Sequence, residues 1–124
     1  MDGDSGSAFR FQQLVIWQRA ADLAIKLDEI STQLEERRKY RFAEQLRAAG
    51  LSISNNIAEG SGSNTTPDFR KFLYIARKSA FECASMLMIF KRREYLSEEM
   101  ANELVSELES VCKMIVSFSR TLKG

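Results

Sequence analysis

The chain has 124 residues, 44% hydrophobic and 28% charged, an ordinary globular mix with enough length for one core but not two. Eighteen Lys and Arg against seventeen Asp and Glu leave a formal charge of +1, so bulk charge names neither a nucleic acid nor a membrane as partner. Histidine is absent, which removes His-based acid–base catalysis, Ser and Cys triads, and nearly every zinc, haem or carboxylate–histidine di-iron site.

The first residues, Met1-Asp2-Gly3-Asp4-Ser5-Gly6-Ser7, are acidic and rich in Gly and Ser. They read as a flexible tail over residues 1–8 preceding one domain over 9–124, and not as a secretory signal, so the expected location is cytoplasmic. No apolar run approaches the roughly 20 residues that span a bilayer, so no membrane partner is expected. One proline and six glycines favour long helices over many short strands.

From Gln12 to about Glu36, Ile16, Ala20, Leu23, Leu27, Ile30 and Leu34 recur at helical spacing, with Leu14, Trp17, Ala21 and Ala24 as a second strip. Charged residues Glu35 to Arg41 form the first connection. A second helix over about Phe42 to Glu59 carries Phe42, Leu46, Ala49, Ile53 and Ile57, with Gly60 placed for a left-handed cap. After a turn-forming Gly/Ser/Asn stretch, Thr66-Pro67-Asp68 predicts a hydroxyl cap, a first-turn proline and a first-turn acid. The third helix aligns Phe69, Leu73, Ala76, Ala80, Cys83, Leu87 and Phe90, with Phe72, Ile75, Met86 and Ile89 beside them. Ser97-Glu98-Glu99 opens the fourth, whose seam is Met100, Leu104, Leu108, Val111, Ile115, Phe118 and Leu122. The pattern predicts an all-α, antiparallel up-and-down four-helix bundle. The apolar strips of helices one, three and four are wider than a lone bundle needs, which predicts self-association. Cys83 and Cys112 lack metal-ligand spacing and read as buried apolar residues.

Gln45, Ser52, Asn56 and Glu59 lie along one side of the second helix, and Ser79 and Glu82 share a face of the third. With Arg47 as counter-ion to Glu59 or Glu82, these residues read as a hydrogen-bonded network that fixes register or assembly. The catalytic alternative is a magnesium-dependent nuclease using Glu59 and Glu82, but without histidine, nucleophile or phosphate loop the expectation is no enzyme and no cofactor.

The run Gln45 to Gly60, and most specifically Ser52-Ile53-Ser54-Asn55-Asn56-Ile57-Ala58-Glu59-Gly60, resembles the signature of the four-helix proteins encoded in 23S ribosomal RNA intervening sequences. Phe11 with Leu14 to Gln18, Phe69 to Ala76, and Ser79 with Glu82 extend the resemblance over about residues 9 to 122. Ser54 stands where that family usually has proline, and Lys78 where it often has glycine. The resemblance implies a ring-like homopentamer with no established enzymatic activity. It also implies kinship with accessory proteins of diversity-generating retroelements, which bind nucleic acid and a reverse transcriptase.

Charge is segregated along the chain. Residues 37–93 hold twelve Lys and Arg against four Asp and Glu, and the remainder six against thirteen. Arg38, Lys39 and Arg41, the seven-spaced pairs Arg70/Lys71 and Arg77/Lys78, and Arg92/Arg93 are the candidate contacts for RNA or DNA. The expected function is a non-enzymatic, homo-oligomeric scaffold that contacts a partner protein, a nucleic acid, or both. The alternative is nucleic-acid binding through a basic surface of helices two and three.

Overall fold

Six apolar side chains at alternating steps of three and four, Ile16 through Leu34, leave solvent together as one face of the first helix. The computed structural model describes residues 9–123: after a 3-10 turn at Arg10–Gln13 come α1 Val15–Glu36, α2 Tyr40–Ser61, α3 Thr66–Arg92 and α4 Glu98–Thr121. The tail expected over residues 1–8 lies outside the described residues. No strand occurs among those described.

The helices touch in cyclic order, α1 with α2, α2 with α3, α3 with α4 and α4 with α1, with no diagonal contact; the α1–α4 seam is the slenderest. Contacts between neighbouring helices run in opposite directions along the two α4 seams, and likewise between α2 and α3, where Ser52 meets Ser79 and Gly60 approaches Phe69 and Phe72; three residues turn α1 back into α2. Arg47 reaches Asp28 and Glu35, Lys91 and Arg70 meet Asn102 and Ser119, and Arg19 and Lys26 meet Ser110 and Glu107. The arrangement is therefore antiparallel and up-and-down. Its core joins all four seams, from Leu23 and Leu27 through Leu46, Ile53 and Leu87 to Leu104, Leu108 and Ile115.

Several local expectations change. α2 begins two residues earlier than predicted, and its rotation against its neighbours puts Ala43 in the core while Phe42 stays 39% exposed, its ring 5.5 Å from that of Phe90. On α4, Ala101 is buried and Met100 exposed for the same reason of helical phase. Gly60 is not a left-handed cap. It lies within α2, buried, where an added Cβ would meet Phe72 Cβ at 2.8 Å and Phe69 Cδ1 at 2.9 Å, so its missing side chain lets α3 approach. The α3 cap is Thr65, whose hydroxyl accepts from Asp68 N at 3.3 Å, one residue before the expected Thr66. Ser97 caps α4 as expected, accepting from Met100 N at 3.1 Å.

The second strip of α1 is absorbed within the molecule. Ala24 is buried, Leu14, Trp17 and Ala21 are partly covered, and the 3-10 turn places Phe11 5.0 Å from the Trp17 ring. The apolar surface left exposed lies mainly on α3, at Tyr74, Phe81, Met88 and Ile89, with Val15 and Ile25 exposed on α1.

Candidate functional site

Of the seven residues of the predicted polar network, three join and four lie apart. Ser52 Oγ and Ser79 Oγ lie 2.8 Å apart across the α2–α3 seam, and Asn56 Nδ2 donates to Ser52 O at 2.8 Å and Ser52 Oγ at 2.9 Å. The Ser52–Ser79 bond locks α2 against α3, and Asn56, bonding within α2, holds Ser52 in place for it. Gln45, Glu59 and Glu82 are exposed. Arg47 faces the other way, toward α1, donating to Asp28, to both oxygens of Glu35 at 2.9 and 3.3 Å, and to Thr32 at 3.3 Å. Its pKa is raised, first by the Glu35 bond and then by Asp28. The counter-ion role expected toward Glu59 or Glu82 is thus replaced, because α1 supplies two carboxylates on the side of α2 where Arg47 projects.

Glu59 and Glu82 are not a pair. The contacts of Ser52 with Ser79 and of Gly60 with Phe69 and Phe72 set the α2–α3 register. That register puts Glu59 level with Phe72 and Glu82 level with Ala49, ten residues or about 15 Å apart along the bundle. No group of three His, Cys, Asp or Glu side chains able to hold a metal occurs among the described residues.

The basic residues likewise separate. Arg70 donates to Ser119 O at 3.3 Å and Leu122 O at 2.6 Å, satisfying carbonyls at the end of α4. Lys71 remains exposed. Arg77 lies over Phe81 at 4.8 Å and Lys78 over Tyr74 at 5.5 Å, so the two members of that pair serve different rings. Arg38, Arg41 and Arg92 are exposed. Lys39 and Arg93 converge on Tyr95 together with Arg37, at 4.6, 5.6 and 5.5 Å from the ring centroid. Of the cations expected on helices two and three, Lys39 and Arg93 thus meet at the end formed by the α1–α2 and α3–α4 turns, which Arg37 bridges by donating to Glu94 O at 3.1 Å. Tyr95 escaped the reading of the sequence because its cations come from two turns some fifty residues apart. The signal, a charge-dense turn at 35–41 and another at 91–94, becomes spatial only once the helices are antiparallel.

A second feature is an open apolar groove of about 960 Å³ between α3 and α4. Phe81, Met88 and Ile89, exposed by 57%, 48% and 52%, stand along it with Val105, Cys112 and Val116. Arg77, Arg92, Lys113 and Arg120 line it with a single carboxylate, Glu109. Cys112, read from the sequence as core, lies half-buried in this groove, its thiol pKa raised by burial against the opposing effect of Arg77. Both cysteines are free.

Four antiparallel helices joined by a polar lock define an all-α four-helix protein. The chain belongs to the family of the 23S rRNA-intervening sequence protein, whose model matches residues 12–117. Among solved structures it is similar to a protein with unknown function from the S23 ribosomal protein family of Bacteroides thetaiotaomicron. That similarity is 25% in sequence at a TM-score of 0.82, over 86% of this chain and 100% of that one. Comparison with curated proteins gives no match. Among the described residues no helix is long and apolar enough to cross a membrane.

Proposed function

We propose that the chain is a non-enzymatic scaffold whose copies join head to tail into a ring, five by family resemblance, through the α3–α4 groove. The carrying observation is the groove itself: three large apolar side chains about half exposed in a row, rimmed by cations. If roughly 100 Å² of each were covered, their burial would be worth about 7 kcal/mol at 25 cal/mol/Å², before the cost of association. The occupant that fits is the outward face of α1 from a second copy. There Val15 and Ile25 are exposed beside Asp22 and Glu29, while Arg19 and Lys26 of the same surface turn to Ser110 and Glu107 of α4, so the two carboxylates are left to meet the cations of the groove rim. Two different surfaces meeting in this way make a heterologous contact, the kind that closes into rings. The separation of Glu59 from Glu82 speaks against a nuclease that would use these two as a pair.

Light-scattering mass under reducing conditions tests the proposal. The wild type should have a mass several times 14.1 kDa. Phe81→Glu with Ile89→Glu should fall to one chain with unchanged helical circular dichroism, and Cys112 should then label faster with maleimide. A wild type that stays a single well-folded chain at high concentration refutes the proposal.

A further inference from the structure

The two turns at the basic end share one geometry. Each helix ends on a left-handed residue that is not glycine, Arg38 at φ 64° and Glu94 at φ 59°. The closing bonds correspond: Arg38 N and Lys39 N donate to Glu35 O and Leu34 O, and Glu94 N and Tyr95 N donate to Lys91 O and Phe90 O. Lys39 and Tyr95 thereby occupy matching places just past α1 and α3.

This geometry packs three cations around one phenol. The Tyr95 ring is partly buried, 6.0 Å from Phe42 and 6.4 Å from Phe90, so it is held in position. Arg37, Lys39 and Arg93 lie within 5.6 Å of its centroid. Among the described residues the ion pairs are Lys26 with Glu107 and Arg47 with Asp28 and Glu35, so none of these three cations is neutralised by a carboxylate. Hydrogen bonding from Arg93, and then from Lys39, lowers the phenol pKa. Attraction to the ring face offsets part of the repulsion among the three charges. An oxyanion would turn the rest into attraction, with arginine forks and a lysine point charge as its donors.

We propose that Arg37, Lys39 and Arg93, set around Tyr95, form a binding site for a phosphate group, either free or carried on a polynucleotide backbone. Exposed Arg38 and Arg41 extend the positive field, and exposed Tyr40 beside them offers a face on which a base can stack. Glu94 and Glu98 line the adjoining recess and bound the site on the α4 side. None of the three cations lines the α3–α4 groove, so the site stands or falls independently of the ring.

The chain has three tyrosines, so Tyr40→Phe with Tyr74→Phe leaves Tyr95 as the sole phenol, whose ionisation is read by its ultraviolet absorbance. Potassium phosphate, compared with potassium chloride at equal ionic strength, should raise the phenol midpoint by drawing Arg93 and Lys39 away from it. In the second arm, a ten-nucleotide single strand without a terminal phosphate is titrated by fluorescence anisotropy against salt. Lys39→Gln with Arg93→Gln should lower the log–log slope by about 0.7 for each cation that contacts the backbone. A midpoint shift with phosphate alone assigns the site to free phosphate, and a slope loss with the strand assigns it to a backbone; either supports the proposal. It is overturned if neither ligand acts, or if the phosphate-induced shift and the strand's salt slope both survive unchanged in the folded double variant. Should that variant lose helicity, Lys39→Gln alone carries the same comparison.

Discussion

Gly60→Ala probes how closely α2 and α3 approach. The new methyl would sit 2.8 Å from Phe72 Cβ and 2.9 Å from Phe69 Cδ1, where ordinary contact needs at least 3.4 Å. Phe69 can turn its ring, but Phe72 Cβ is fixed to the α3 backbone, so the helices must part by several tenths of an ångström. Overpacking of this kind costs about 1–3 kcal/mol. Because Phe72 Cβ at 2.8 Å cannot move without its helix, the upper part of that range, about 2–3 kcal/mol, applies. Replacing glycine by alanine inside a helix returns about 1 kcal/mol, leaving a net loss of about 1–2 kcal/mol. For a domain of this size that corresponds to a Tm lower by about 4–8 °C. Urea denaturation and thermal melting followed by circular dichroism, at one fixed protein concentration, measure it. Gly62→Ala is the control, because its methyl would meet only Glu59 O at 3.5 Å, and it should change stability by less than about 0.5 kcal/mol. A Gly60→Ala protein as stable as wild type would show that the glycine is not what permits the approach.

At the opposite end, Arg38→Gly and Glu94→Gly should each stabilise the fold by about 1 kcal/mol, because both positions hold positive φ without glycine; unchanged melting would refute that cost. Asn56→Ala removes the two hydrogen bonds that hold Ser52 in the α2–α3 lock and should cost about 1–2 kcal/mol in denaturant titration, with Ser79→Ala also destabilising. Burial pushes the Cys83 thiol from its ordinary 9.0 up to about 12. The unfolded chain then releases that proton at lower pH than the fold does, so the stability it contributes is full below about pH 9 and lost as pH rises toward 12. Cys83→Ala should flatten the alkaline loss measured by denaturation at successive pH values, and Cys112 should react with maleimide before Cys83.

The helix count, the Ser97 cap, the start of α3 to within one residue, and most of the core were legible in the sequence because they obey local rules. A seam such as Ile16 to Leu34 needs only the 3.6-residue period, and a hydroxyl before a first-turn acid needs only the geometry of one turn. Phase errors of one residue, Phe42 for Ala43 and Met100 for Ala101, arose where two neighbouring apolar residues both fit the period and only the position of the next helix selects between them. The serine and asparagine of the polar strip were legible as partners because helical spacing puts Ser52 and Asn56 one turn apart.

Pairings across helices were not legible. Arg47 had candidate carboxylates on several helices, and the α1–α2 register alone chose Asp28 and Glu35. Gly60 has the same composition signal as a cap; only the nearness of Phe69 and Phe72 makes it a point of contact. The sequence by itself determined which faces turn inward, because burial follows a periodicity carried by each segment. The tertiary structure decided what those faces leave over, the α3–α4 groove and the cations around Tyr95, because surfaces and charge clusters depend on the relative placement of segments that no local period encodes.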